Sequence, residues 1–280
     1  MQIYFKLKAI QKLWQQYQGF IQTPELWENN LFELNQFKLP QINKPDLSQL
    51  EDINPRLVLG KRAEHFFSLA IQNSKDYELL ANNLQIIYNK ETLGEFDFFL
   101  RNINRKQNLH VELVYKFYVY DPNFEAEMDR WIGPNRKDSL TRKIKHLKTH
   151  QLPLLYQPET TEILENVAID VQNLEQEVCF KANLFLPKYM QSKNIAPLNS
   201  ACIVGYYLKK EEFTKKDYGN FEYFSPKKPD WPILSESQQE WFSFTEINRQ
   251  LEQLFANKKS ALLWIKKSAT TFERCMVVWW

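Results

Sequence analysis

The sequence is poor in glycine and cysteine and carries almost no net charge. Only 6 of its 280 residues are glycine, which favours a packed fold of mainly regular elements with few glycine turns. Its 3 cysteines, Cys179, Cys202 and Cys275, are widely separated and odd in number, so neither a disulfide framework nor a structural zinc site is expected. The net charge of +2 shows no overall basic excess, so any surface that binds nucleic acid must be local.

Long apolar runs and two enzyme motifs are also missing. No apolar run approaches the roughly 20 residues needed to cross a bilayer. The first residues have no uninterrupted apolar core of the kind found in signal peptides. We therefore predict a cytoplasmic protein with no membrane partner. The sequence has no glycine-rich phosphate loop and no nucleophile elbow, so it gives no support to nucleotide hydrolysis or serine-hydrolase chemistry.

The hydrophobic pattern predicts a mixed α/β (α+β) protein. Residues 8–30 are predicted to be helical, with Thr23 of "TPELW" as a helix cap and Pro24 at the first helical position. A second, amphipathic helix follows in "RLVLGKRAEHFFSLAIQNS". The segments "NLQIIY", "GEFDFFLRN" and "HVELVYKFY" then predict three consecutive strands, joined by "KETLGE" and "NINRKQN".

The second half of the chain continues the alternation of helices and strands. The segment "RKDSLTRKIKHLKTHQL" predicts a helix, and "EQEVCFKANLFLP" predicts a strand. Further on, "ACIVGYYL" predicts a strand, "NRQLEQLFANKKSALLWIKK" a helix and "ERCMVVWW" a terminal strand. We therefore divide the chain into an N-terminal helical segment with a connector (1–55), a core (56–190) and a C-terminal α/β extension (191–280). The extension either packs on the core or forms a small second domain.

Acidic side chains interrupt two of the predicted apolar strands. With a period of two, Glu95 and Asp97 share one face of the second strand, and Glu112 and Lys116 share one face of the third. A carboxylate buried without a partner is costly, and neighbouring carboxylates also repel each other. Bound Mg²⁺ or Mn²⁺ would remove both penalties and would activate a water molecule toward a phosphodiester. The alternative is a solvent-exposed sheet face on which these residues are ordinary cross-strand pairs.

The predicted helix after the third strand is basic. The residues that form a cationic face on or beside it include Arg136, Arg142 and Lys145. Lys143 falls near the apolar stripe, on the side expected to face the sheet, and is also a candidate for binding nucleic acid. Such a face could follow the phosphates of a nucleic acid, and we predict a structural or phosphate-contacting role for His150 and Gln151. The alternative is a solvated helix flank balanced by acids elsewhere in the chain.

Several of these segments resemble a known bacterial family, domain of unknown function 1853. The segments that carry the resemblance are "RLVLGKRAEHFF", "GEFDFFLRN", "HVELVYKFY", "WIGPNRKDSLTRKIKHL", "HQLPL" and "LFLP". That family is grouped with the PD-(D/E)XK nuclease-like superfamily. The resemblance therefore implies a restriction-endonuclease-like core in which a helix, three strands, a helix and a strand form a mixed sheet flanked by helices. The order of elements predicted from the hydrophobic pattern is the same.

The resemblance also implies a role for each matching acid. Glu64 would be the acid of the first core helix, reaching toward a metal ion. Asp97 would be the metal-binding acid of the second strand, with Glu95 as its neighbour or substitute. Glu112 would be the acid of the third strand, and Lys116 the catalytic lysine.

One departure from the superfamily pattern concerns this lysine. The pattern is Glu-x-Lys, whereas Val114 occupies the lysine position here and Lys116 lies two residues further on. Three alternatives are open: the Lys116 side chain could reach back toward Glu112, a bulge could shorten the gap, or Lys143 of the next helix could supply the ammonium group. The sequence thus predicts an Mg²⁺-dependent nuclease acting on DNA or RNA. The alternative is a catalytically inactive nuclease-like module that binds nucleic acid or a protein.

Overall fold

The computed structural model of the protein describes residues 2–40, 42, 47–50, 53–167, 169–234, 238 and 240–280. Part of the connector predicted before residue 55 lies outside these residues. Among the described residues, the α-helices are α1 (Gln2–Gln22), α2 (Leu59–Gln72), α3 (Leu140–His146), α4 (Thr161–Asn166), α5 (Lys215–Tyr218) and α6 (Phe244–Ala256). A π-helical turn over Leu147–Gln151 continues α3.

The strands alternate with these helices along the chain. They are β1 (Asn30–Leu31), β2 (Leu34–Asn35), β3 (Tyr77–Tyr88), β4 (Glu91–Asn102), β5 (Gln107–Tyr120), β6 (Trp131–Ile132), β7 (Leu174–Pro187), β8 (Ile203–Lys209), β9 (Glu222–Phe224), β10 (Ala261–Lys266) and β11 (Phe272–Val278). The predicted mixed α+β class is confirmed. The predicted order of helix, three strands, helix and strand appears as α2, β3, β4, β5, α3 and β7.

The chain groups into two compact units. The middle unit contains Glu25–Tyr115 and Arg142–Lys181, and the terminal unit contains Met1–Pro24, Lys116–Thr141 and Ala182–Trp280. The division of the sequence into residues 1–55, 56–190 and 191–280 stays a prediction.

The middle unit is built on a sheet with the strand order β3-β4-β5-β7. Strands β3 and β4 form an antiparallel hairpin. Its two-residue turn uses Asn89 and Lys90, whose positive φ values of 49° and 68° suit a tight hairpin turn that follows the twist of the strands. Strand β5 lies inside this sheet, which explains its nearly continuous run of buried side chains.

The core of the middle unit lies between this sheet and the chain that follows α3. It contains Phe96 and Phe99 of β4, and Leu154, Leu155 and Leu164 of the later segment, all buried. Helix α2 adds a second apolar contact, because Phe67 packs on Phe98 with ring centroids 4.3 Å apart.

In the terminal unit the strand order is β7-β8-β11-β10-β9. Strand β8 pairs in parallel with β7 and with β11, whereas β10 pairs antiparallel with β11 and with β9. The apolar stripe of α6, Phe244, Ile247 and Leu251, packs against these strands in one hydrophobic cluster. Among the described residues, no helix combines the length and apolar composition needed to cross a membrane.

Three local predictions were wrong. Helix α1 ends at Gln22, so Thr23 caps no helix that starts at Pro24; its hydroxyl donates back to the Gly19 carbonyl at 2.7 Å. Residues 261–266 form β10 instead of extending a helix, because a short, fully apolar run does not distinguish a buried strand from a buried helix. Most of "KETLGE" belongs to β4, since the hairpin turn needs only two residues.

Candidate functional site

The candidate site lies where the pairing of β4 and β5 ends, within the middle unit. The paired register runs from Asn102–Gln107 to Phe98–Val111. One further step in that register would set Asp97 opposite Glu112, on the same face of the sheet. The Asp97 side chain accepts a hydrogen bond from the Leu113 backbone N–H at 2.8 Å. The Asp97 carboxylate is therefore the hydrogen-bond acceptor for a backbone N–H of β5 just beyond the last paired residues of β4 and β5.

Glu112 is fully buried at the centre of this site. Its Oε1 lies 3.0 Å from Nε2 of His110, which is also fully buried. Its Oε2 accepts a hydrogen bond from the side-chain amide of Gln151, in the π-helical turn after α3. Glu112 is therefore not part of a solvent-exposed sheet face.

The carboxyl group of Asp97 is strongly perturbed. Burial, followed by the nearby Glu112 carboxylate, raises the pKa of Asp97 well above its usual value, and Glu64 adds to this effect. The hydrogen bond from the Leu113 N–H and the positive charge of Lys143 act in the opposite direction without cancelling it. Negative charge is thus concentrated where β4, β5 and α2 meet, and a cation would stabilise it.

Glu64 and Glu95 share one lysine. The Lys61 Nζ lies 2.8 Å from Oε2 of Glu64 and 2.7 Å from Oε1 of Glu95. The side chains of Glu64 and Glu95 are 15% and 25% exposed, and that of Lys61 is 46% exposed. Burial raises the pKa of Glu64 despite this ion pair, and the charges of Glu95 and Glu112 contribute. The Lys61 ammonium group therefore partly neutralises two of the predicted site acids, Glu64 and Glu95.

A second lysine approaches the buried carboxylates from α3. The Lys143 Nζ donates to Oε1 of Gln151 at 2.6 Å, and the amide of Gln151 donates in turn to Glu112. Lys143 was predicted to bind nucleic acid or to supply the catalytic ammonium group, and Gln151 to have a structural or phosphate-contacting role. The structure places both beside the acids, where Gln151 links the lysine to Glu112.

The predicted lysine of β5 has a different partner. Lys116 belongs to the terminal unit, where its Nζ lies 2.6 Å from Oδ2 of Asp138 and its side chain is 37% exposed. Val114, which stands where the superfamily pattern has lysine, is buried. The catalytic role of Lys116 stays a prediction.

The remaining basic residues divide between the two units. In the terminal unit, Arg136 pairs with Asp121 at 2.9 Å and covers the ring of Trp280. In the middle unit, Arg142, Lys145 and His150 are exposed on and after α3. The cationic face of α3 is therefore accessible to a ligand in the middle unit.

The donor chemistry of the site suits a hard cation. Among the described residues, no group of three or more histidine, cysteine or acidic side chains is arranged to hold a metal ion. Mg²⁺ does not require such a group, because it is often held by one or two carboxylates while water and substrate phosphates supply the other ligands. Glu112 and Asp97 are two such carboxylates: Glu112 is buried, and burial followed by the Glu112 charge raises the pKa of Asp97.

Sequence reasoning missed three residues of this site. Lys61 lies at i,i+3 from Glu64 on α2, a spacing that predicts an ion pair. His110 lies two residues before Glu112 on the same strand face, a spacing that could have drawn attention to it. Gln176 of β7 is hydrogen-bonded to His110, and no local signal in the sequence connects the two.

The fold and the site together define an α+β protein with a partly buried carboxylate cluster next to a basic helix. The chain belongs to the family described as Domain of unknown function (DUF1853), whose model matches residues 7–278. The resemblance to that family is thereby confirmed, while the placement in the nuclease-like superfamily stays a prediction. No curated protein and no solved structure matches the chain.

Proposed function

We propose that this protein is a nuclease that hydrolyses phosphodiester bonds of DNA or RNA with the help of Mg²⁺ or Mn²⁺, on a restriction-endonuclease-like core. The observation that carries the proposal is the pair formed by Asp97 and Glu112. One is fully buried, the other has a pKa raised by burial and by its neighbour, and both lie at the end of the β4–β5 pairing. Such a pair is costly without a cation, and functional sites are where such costs concentrate.

Asp97 and Glu112 would hold the metal ion, with Glu64 and Glu95 next to them. When bound, the ion would neutralise charge on the phosphate and acidify a water molecule. Lys61, which pairs with Glu64 and Glu95, would have to release at least one of them if that acid joins the metal site.

Lys143 is the lysine that the structure favours for contact with the scissile phosphate. Its charge is close enough to Asp97 to act on the pKa of that residue, and its Nζ is oriented by Gln151. A positioned ammonium group would stabilise negative charge as it develops on the phosphate. Arg142 and Lys145, exposed on the same helix, would bind flanking phosphates.

The test is cleavage of supercoiled plasmid, single-stranded DNA, branched DNA and RNA by the purified protein with Mg²⁺ or Mn²⁺. We expect Asp97→Asn and Glu112→Gln to lower the cleavage rate by at least about 100-fold, because even groups around metal ligands contribute about 10–100-fold. Glu78→Gln is the matched control, since Glu78 is an exposed acid of β3 paired with Arg101. Cleavage that survives both site substitutions would exclude the proposal.

A parallel comparison identifies the lysine. Lys143→Met should abolish cleavage, whereas Lys116→Met should leave most of it if Lys116 serves mainly as the partner of Asp138. The opposite result would restore Lys116 as the catalytic lysine.

A second candidate function is a module that binds nucleic acid without cutting it. The occupation of Glu64 and Glu95 by Lys61 favours this alternative, because an ammonium group already neutralises part of the acidic cluster. Salt-sensitive binding of nucleic acid without binding of Mn²⁺, measured by calorimetry, would support it over the nuclease.

A further inference from the structure

A chain of hydrogen bonds surrounds Glu112 in the middle unit, and every donor in it points toward the carboxylate. On one side, Lys143 donates to Gln151, which donates to Oε2 of Glu112. On the other side, the Gln176 amide nitrogen lies 3.0 Å from Nδ1 of His110, and Nε2 of His110 lies 3.0 Å from Oε1 of Glu112. The two carboxylate oxygens are thus held by different elements, Oε1 by His110 of β5 and Oε2 by Gln151 of the π-helical turn.

The second arm of this chain determines which nitrogen of His110 carries the proton. The amide nitrogen of Gln176 also donates to the Leu152 carbonyl at 2.9 Å. That contact requires an N–H, so it settles which end of the Gln176 amide faces the histidine. A side-chain amide nitrogen donates and does not accept, and Nδ1 of His110 must therefore be the acceptor. The proton is left on Nε2, from which it points at Glu112.

Aromatic packing also restrains the orientation of the imidazole. The ring of His110 stacks on Phe99 with centroids 5.2 Å apart and meets Phe96 edge-on at 5.0 Å. All three side chains are fully buried. Rotation of the ring would break the contacts to Gln176 and Glu112 together, because both ring nitrogens are already engaged.

We infer that His110 is a positioning residue for Glu112: Gln176 sets its tautomer, and its Nε2–H holds Oε1 of Glu112 in place. Gln151 does the same for Oε2, so the carboxylate is oriented before any ligand arrives. The inference deepens the proposed function and rests on it, because it treats Glu112 as a group that binds a metal ion. Groups that hold ligating carboxylates typically change metal affinity about 10–100-fold when they are removed.

The first experiment determines the tautomer of His110 in the metal-free protein by ¹⁵N NMR of selectively labelled histidine near neutral pH. We expect the ring proton on Nε2, because the Gln176 amide donates to Nδ1. A proton on Nδ1 would overturn the inference whether or not the protein cuts nucleic acid.

The second experiment measures Mn²⁺ affinity by calorimetry and electron paramagnetic resonance. His110→Leu should raise the dissociation constant about 10–100-fold. His110→Gln, whose amide can still donate near the original Nε2 position, should recover most of that loss. His65→Leu is the matched control because His65 is an exposed histidine of α2, and it should leave the dissociation constant unchanged. If His110→Leu does not fold, Gln176→Leu replaces it, since it removes the group that sets the tautomer.

The outcomes separate this inference from the proposed function. If the wild-type protein shows the expected tautomer but binds no Mn²⁺, the metal-dependent nuclease fails and the positioning role for a metal ligand fails with it. If the wild type binds Mn²⁺ and folded His110→Leu binds it equally well, only the positioning role is overturned. Loss of affinity in His110→Leu together with recovery in His110→Gln supports both.

Discussion

Glu112 differs from an ordinary strand glutamate because it is completely buried and accepts hydrogen bonds from two side chains. A buried acid needs such donors, since burial without them costs far more than their hydrogen bonds return. The adjacent Asp97 accepts a hydrogen bond from the Leu113 N–H, and burial together with the Glu112 carboxylate raises its pKa. Glu112 is thus held by two side-chain donors, and the pKa of Asp97 records the electrostatic cost of its own burial beside Glu112.

The raised pKa of Asp97 predicts that removing its charge by substitution stabilises the folded protein. The folded-state pKa of Asp97 lies above its unfolded value of about 3.9. Below that pH the side chain is protonated in both states, so its charge does not reduce the free energy of unfolding. As the pH rises from there through the folded pKa, the unfolded chain releases the proton first, and stability is lost. Asp97→Asn removes this charge, and substitutions of this kind gain about 0.5–2 kcal/mol.

The measurement is urea unfolding in the presence of a chelator, for the wild type and Asp97→Asn, from pH 4 to pH 8. The free energy of unfolding of Asp97→Asn should exceed that of the wild type by an amount that increases with pH across this window. A variant that is less stable than the wild type at neutral pH would contradict the prediction, as would a difference that does not change with pH.

At the scale of elements, the close approach of β8 to β11 in the terminal unit depends on Gly205. A Cβ atom at this position would lie 2.1 Å from the Arg274 carbonyl oxygen, and that oxygen belongs to the backbone and cannot turn away. Gly60, near the start of α2, has no atom within 4 Å of the same hypothetical Cβ. Gly205 is therefore required for close packing of two strands, whereas Gly60 has room for a side chain.

We expect Gly205→Ala to destabilise the protein by about 1–3 kcal/mol or more, because the strands must separate to admit the methyl group. Gly60→Ala is the matched control and should stabilise it by about 0.5–1 kcal/mol, because alanine loses less conformational entropy in a helix. Thermal unfolding followed by circular dichroism measures both changes. Equal effects of the two substitutions would show that β8 and β11 are not packed as described.

At the scale of the whole molecule, the family match over residues 7–278 includes parts of both compact units. The site acids Glu64, Glu95, Asp97 and Glu112 all belong to the middle unit. The candidate site therefore belongs to the middle unit alone, whereas the family match also covers the terminal unit.

Binding of a metal ion should stabilise the protein. A ligand that binds only the folded state at a hundredfold excess over its dissociation constant contributes about 2.7 kcal/mol. For chains of comparable size, each kcal/mol corresponds to a rise in Tm of roughly 2–4 °C. Differential scanning fluorimetry with and without Mn²⁺ should show this rise for the wild type and Glu78→Gln, and none for Glu112→Gln. An unchanged wild-type Tm at millimolar Mn²⁺ would count against the metal site.

Much of the element order and the family could be predicted from the sequence. Period-two spacing identified the acids of β4 and β5, and helical spacing placed Glu64 on α2, because these patterns depend only on local geometry. The run "SALLWIKK" was assigned to a helix because its local composition does not say which neighbours will cover it. The same limit applied to Gln176, whose contact with His110 joins residues far apart in the chain.

The sequence by itself determined which residues carry charge and which strand or helix presents them, since side-chain periodicity is a local property of the backbone. Only the tertiary structure decided which acids are buried, which lysine reaches them and which partners hold them. Burial and Coulomb interaction depend on distances between segments that no local pattern encodes. That is why Lys143, Gln151 and His110 surround Glu112, while Lys116 pairs with Asp138.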